Sequence, residues 1–157
     1  MDTFTLFHVV LSLIGIFSGF VVIFGMLAAK RLNGWTALFL VTTVLTSVTG
    51  YFFPFHKLLP SHIVGAISLV MLAIAILARY PKQMAGGWRK AYVITAIISQ
   101  YLNVFVLIAQ LFQKVPELKA TAPTGSEPPF LAAQVTCMVI FIVLTVAAVK
   151  KFKLEHA

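Results

Sequence analysis

The side chains best suited to chemistry in this sequence are three histidines and one carboxylate: His8, His56, His62 and Glu127. Neutral imidazole ligates transition metals and haem iron, and with a pKa of about 6.5 it also passes protons. Haem b would take His8 with His56 or His62 as axial ligands, with Gly15 as a close-packing position. A copper or zinc site would take the three histidines and Glu127, although the separation of His56 from His62 matches no structural-zinc spacing. A wider set offers hydroxyl, amide and imidazole groups to a small ligand: His8, Ser12, Thr46, Thr49, His62, Asn103, Gln110 and Gln134. The plainer reading makes His56 and His62 ordinary turn residues at headgroup level. It makes the amides glue between helices, worth about 0.6 kcal/mol each.

Lipid must surround whatever these residues do. With 157 residues, 61% of them hydrophobic and 10% charged, and a mean hydropathy of +1.01, the chain has too much apolar surface for a water-soluble core of its size. One crossing takes about 20 apolar residues, and apolar runs fall at about 5–29, 36–53, 61–78, 91–112 and 130–149. These predict an all-α, polytopic bundle of five spans, a single integral membrane domain over residues 1–157. The net charge of +8 could suggest nucleic acid, but the Lys and Arg residues flank the apolar runs and face membrane phospholipids instead. Cys137 stands alone, so neither a disulfide framework nor a CxxC redox motif is available. The N-terminus lacks a basic leader region, so the first run reads as a retained helix. His156, in the last four residues, is given no role.

The elements carrying the candidate residues are legible as stripes. In the first span His8, Ser12, Gly15 and Gly19 share one face. Gly15 and Gly19 form a GxxxG, which permits close backbone approach within the chain, in a homo-oligomer or in a larger complex. The second span carries Thr42, Thr46 and Thr49, and Pro54 opens the proline-bracketed turn across residues 51–62. The fourth span has the stripe Thr95, Ser99, Asn103, Val106 and Gln110, with Gln100 at its edge. An amide buried without a partner costs roughly 2 to 7 kcal/mol, so this face looks at other helices or at water. Prolines 116, 123, 128 and 129 favour an extended, semi-rigid path for residues 114–129, able to cap a pocket. No repeat of useful period and no dinucleotide, P-loop, HExxH or nucleophile-elbow pattern is evident.

Charge sets the expected orientation. Lys30, Arg31, Arg79, Lys82, Arg89, Lys90, Lys150, Lys151 and Lys153 fall on one side; Lys57, Lys114 and Lys119 fall on the other. Basic loops stay cytoplasmic, so the N-terminus faces outward. Trp35, Tyr80, Trp88 and Tyr92 line the cytoplasmic boundary as an aromatic belt would. The titratable residues then gather outside, around an outward-facing polar pocket floored by Asn103 and Ser12.

Three classes of function follow. The first is binding of a small ligand or redox cofactor: haem, a metal, or a lipophilic molecule such as a quinone or sterol. The second is a non-catalytic accessory subunit of a larger membrane complex. The third is a small-solute channel or transporter, which the lack of any Asp, Glu, Lys or Arg within a span disfavours for ion coupling. An enzyme would have only His8, His62 or Glu127 as acid or base.

Residues 103–116, with Asn103, Gln110 and Pro116, followed by 122–130, with Pro123, Glu127, Pro128 and Pro129, resemble a group of small, uncharacterised bacterial inner-membrane proteins. The resemblance implies a bacterial inner membrane and a fourth span that forms a unit with its loop. It implies no activity.

Overall fold

The computed structural model describes residues 3–30, 32–52, 60–124 and 127–152, and among them all regular structure is helical. The helices are α1 (Thr3–Leu27), α2 (Asn33–Gly50), α3 (Pro60–Arg79), α4 (Trp88–Lys114), α5 (Pro116–Thr121) and α6 (Pro128–Lys151). Arg31, Pro54, His56, Lys57 and Lys153 lie outside the described residues.

Local chemistry fixes the helix ends. At the end of α1 the amide of Lys30 reaches back to the Gly25 carbonyl at 2.7 Å and that of Ala29 to Met26 at 3.0 Å, with Ala29 at φ 58°. This paired closure satisfies two of the last carbonyls and requires a left-handed residue. Val115 ends α4 at φ −86°, ψ 115°, because the ring of Pro116 denies its predecessor the helical region. Glu127, extended at ψ 161° before Pro128, starts α6 for the same reason. Pro128 then takes a position where a missing N–H costs nothing.

The extended path expected for residues 114–129 is corrected by α5. Pro116 sits at a helix start, with Glu117 in the first turn and Lys119 in the last. The next proline, Pro123, lies beyond the helix, so nothing interrupts 117–121.

Sequential helices pack side by side: α1 on α2, α2 on α3, α3 on α4, and α4 back on α1, with α6 laid against α4 and α1. Each runs antiparallel to the one before. His8 near the start of α1 meets Thr49 near the end of α2, and Arg79 at the end of α3 meets Asn33 at the start of α2. Lys30, Arg79, Arg89 and Lys150 therefore share one end of the bundle, the basic end. The core holds Val22, Ile23, Met26, Phe39, Leu72, Val93, Ile97 and Phe141. Large apolar residues also cover the outside, among them Phe17, Phe24, Ile67, Val70, Val139 and Val143. Among the described residues four helical segments are long and apolar enough to cross a membrane: Thr3–Leu27, His62–Arg79, Trp88–Lys114 and Pro128–Lys151. α2 is not among them, its composition diluted by Asn33 and a series of Thr and Ser residues.

Two expectations about the basic end need correction. Arg79 belongs to the last turn of α3 and is buried, so a cation does lie within an apolar helix. Tyr92 is buried beneath it, whereas Trp35 and Tyr80 are exposed.

Candidate functional site

Several of the described polar residues make hydrogen bonds across helices. They form a seam where α1, α2 and α4 converge, built level by level. Nearest the basic end, the Arg79 guanidinium donates to Asn33 Oδ1 at 2.7 Å and stands 5.0 Å from the Tyr92 ring centroid. The Tyr92 hydroxyl lies within hydrogen-bonding reach of Arg79 and Thr36. Met84 and Phe152 are fully buried beside this cluster, and Arg89 donates to the carbonyls of Val149 and Phe152 at 3.0 and 2.5 Å. That end is closed.

At the middle, Gln100 donates through Nε2 to the Ile16 carbonyl at 2.7 Å, and its amide fills the space over Gly19. A Cβ on Gly19 would stand 2.1 Å from Gln100 Oε1, an atom that is buried and without a hydrogen-bond partner. One level further, Asn103 donates to Thr43 Oγ1 at 3.3 Å, and that same hydroxyl sits over Gly15, 3.1 Å from where a Cβ would lie. The GxxxG thus brings α1 against α2 and α4 of its own chain.

Beyond this level the packing loosens. No described residue of α1 before Gly15 is buried, none of α2 after Thr43, and none of α4 after Gln100. From Tyr101 to Gln110 every residue of α4 is partly exposed, on all sides of the helix, over about 15 Å at 1.5 Å per residue. At the rim His8 Nδ1 meets Thr49 Oγ1 at 2.8 Å.

The residues expected from sequence divide accordingly. His8 meets Thr49 across helices, and Asn103 separately meets Thr43. Ser12 and Thr46 donate back to the carbonyls of Val9 and Thr42 in their own helices, as Thr49 also does to that of Leu45. Gly15 and Thr43 stand at the level of Asn103. Gln110 is partly exposed on α4, and Gln134 is buried, donating to the Phe105 carbonyl at 3.2 Å. His62 is buried against Tyr51, whose ring stacks on it at 5.6 Å and whose hydroxyl donates to its carbonyl at 2.5 Å. Thr49 and Tyr51 are about 200° apart around α2, so His8 and His62 flank opposite sides of that helix. Glu127 closes the loop before α6, accepting from the Thr124 amide at 3.1 Å and the Thr124 hydroxyl at 2.6 Å.

Among the described residues no three His, Cys, Asp or Glu side chains gather to hold a metal. His8, His62 and Glu127 thus form no metal centre by themselves, and His56 lies outside the described residues. Sequence reading missed Gln100, Thr43 and Arg79 as organisers. For Arg79 a signal existed: it follows Ala78 with no turn residue between, and Pro81 is the first breaker. Compared with family models, curated proteins and solved structures, the chain matches none.

Proposed function

We propose that the chain is a five-span integral membrane protein that binds a lipophilic molecule with a hydrogen-bonding head, in a cleft opening on the side opposite its basic end. α2 counts as the fifth span because its apolar side chains Trp35, Leu38, Val41, Leu45 and Val48 face outward while Thr36, Thr42 and Thr43 are buried. Its 18 residues reach about 27 Å, close to the hydrocarbon thickness. The basic end is cytoplasmic, so the cleft faces outward, and the resemblance noted above favours a bacterial inner membrane.

One observation carries the ligand reading: burial in α1, α2 and α4 stops together at Gly15, Thr43 and Gln100, leaving every α4 residue from Tyr101 to Gln110 partly exposed even though α6 packs on that half of the helix. In this reading Asn103 is the polar floor of an otherwise apolar site, with Gln110 and His8 toward the mouth, the pattern of a small-molecule site. The parting of His8 and His62 around α2 disfavours bis-histidine haem ligation by that pair. The closed basic end favours binding over conduction.

The test is organic extraction of the protein purified with its native lipids, followed by mass spectrometry. The wild type should carry a stoichiometric apolar compound that an Asn103→Leu/Gln110→Leu variant loses while staying folded. Equal contents in both proteins would overturn the reading, and a Soret band lost in His8→Ala would establish haem instead.

A further inference from the structure

The polar stripes of α1 and α4 keep a common register that can be followed outward from the buried seam. Gln100 stands at the level of Gly19. Asn103 stands at the level of Gly15, because the Thr43 hydroxyl that accepts from it also sits over that glycine. The two helices run in opposite directions, so seven residues further out along each come His8 and Gln110, both about 10 Å beyond that level at 1.5 Å per residue. Seven residues are almost two full turns, which keeps each side chain on its own stripe. Lys114 follows Gln110 by one more turn on the same face of α4, about 16 Å from the level of Asn103.

The charge at this end is one-sided. Lys114 lies in the last turn of α4, exposed, and near enough for its ammonium to act on the His8 ring. Among the described residues it takes part in no ion pair. The two described carboxylates of that side are placed elsewhere: Glu117 is exposed in the first turn of α5, and Glu127 accepts from the Thr124 amide and hydroxyl. His8 is turned to α2. The Thr49 hydroxyl spends its proton on the Leu45 carbonyl at 2.7 Å and so accepts from His8 Nδ1. Lys114 and the amide of Gln110 are then the donors left to meet the head of a ligand.

We propose that the cleft takes a lipophilic monoanion, its negative head held at the mouth by the Lys114 ammonium and the Gln110 amide and its apolar body directed inward toward Asn103. This rests on the ligand reading above and adds the charge of the ligand to it. One cation matches one negative charge, which a fatty carboxylate and the phosphodiester of a phospholipid both carry. At the mouth that charge stays among headgroups and water, whereas at the level of Asn103 it would be buried in hydrocarbon at heavy cost. A long acyl chain covers the distance between the two.

Saturation binding of tritiated oleate to the whole protein in a neutral maltoside, at a pH where oleate is ionised, tests it. Unlabelled oleate should displace the label, and methyl oleate, the same chain without the charge, should not. Lys114→Gln should weaken binding by about tenfold, the worth of one hydrogen bond to a charged group. Lys114→Arg, which keeps the charge, and Lys119→Gln, which removes a neighbouring surface charge, should both bind as the wild type does. Displacement by dioleoyl phosphatidylglycerol at lower concentration than by oleate would also support the proposal and make a phospholipid the source of the anion. No saturable binding, displacement by methyl oleate as effective as by oleate, equal affinity in wild type and Lys114→Gln, or an equal loss in Lys119→Gln would each overturn it. The organic extract separates this proposal from the cleft itself. A neutral compound lost in Asn103→Leu/Gln110→Leu leaves the cleft and overturns the anion, whereas no compound at all overturns both.

Discussion

Gly19 and Gln100 hold α1 against α4 through a fit with no room for a methyl group. Because the Gln100 amide is buried and tied to the Ile16 carbonyl, it cannot swing aside at low cost. Gly19→Ala should destabilise the protein by about 1–3 kcal/mol, as overpacking does. Combined with Gln100→Ala it should cost less than the sum of the two, with a coupling above about 0.5 kcal/mol. Unfolding in detergent measures both. The reverse effect belongs at Ala29, whose positive φ strains a side chain: Ala29→Gly should add about 0.5–1 kcal/mol. The close approach at Gly19 was legible as a GxxxG. Its partner was not, because periodicity tells which face of α1 is small and nothing about which helix meets it.

At the scale of elements, two arginines do more than set topology. Arg79 ties the end of α3 to the starts of α2 and α4, and Arg89 caps the last carbonyls of α6. Replacing Arg79 by Leu strands the Asn33 and Tyr92 groups it bonds and should cost about 1–3 kcal/mol. Arg79→Lys should recover little, since one ammonium cannot reproduce the planar fork. Arg89→Ala should instead speed hydrogen exchange over residues 149–152 with little change in global unfolding, as a frayed terminus does. The long helices were readable from apolar run length alone, and of α4's polar stripe Thr95 and Ser99 are buried while Asn103 and Gln110 are partly exposed. The short α5 was hidden by counting prolines without their positions: Pro116 begins a helix, and only a proline inside one would break it. Arg79 was hidden by treating charge as the edge of a span.

For the whole molecule, composition was enough for a helical bundle with apolar, membrane-compatible helices. It was not enough to say which distant residues meet. The sequence placed His8, Asn103 and Thr49 on inward faces, and the fold joins His8 to Thr49 and Asn103 to Thr43. It also grouped His62 with His8, and the fold separates them around α2, an angular fact that only helix order settles. The account depends most on the bundle being closed at its basic end and open at the other. Single cysteines in a Cys137→Ala background, at Ser99, Asn103 and Gln110, test this in intact cells treated with a membrane-impermeant maleimide. The prediction is labelling from outside at 110 and 103 and none at 99. Labelling at 99 as fast as at 110, or labelling at 103 and 110 only once the cytoplasmic face is exposed, would contradict it.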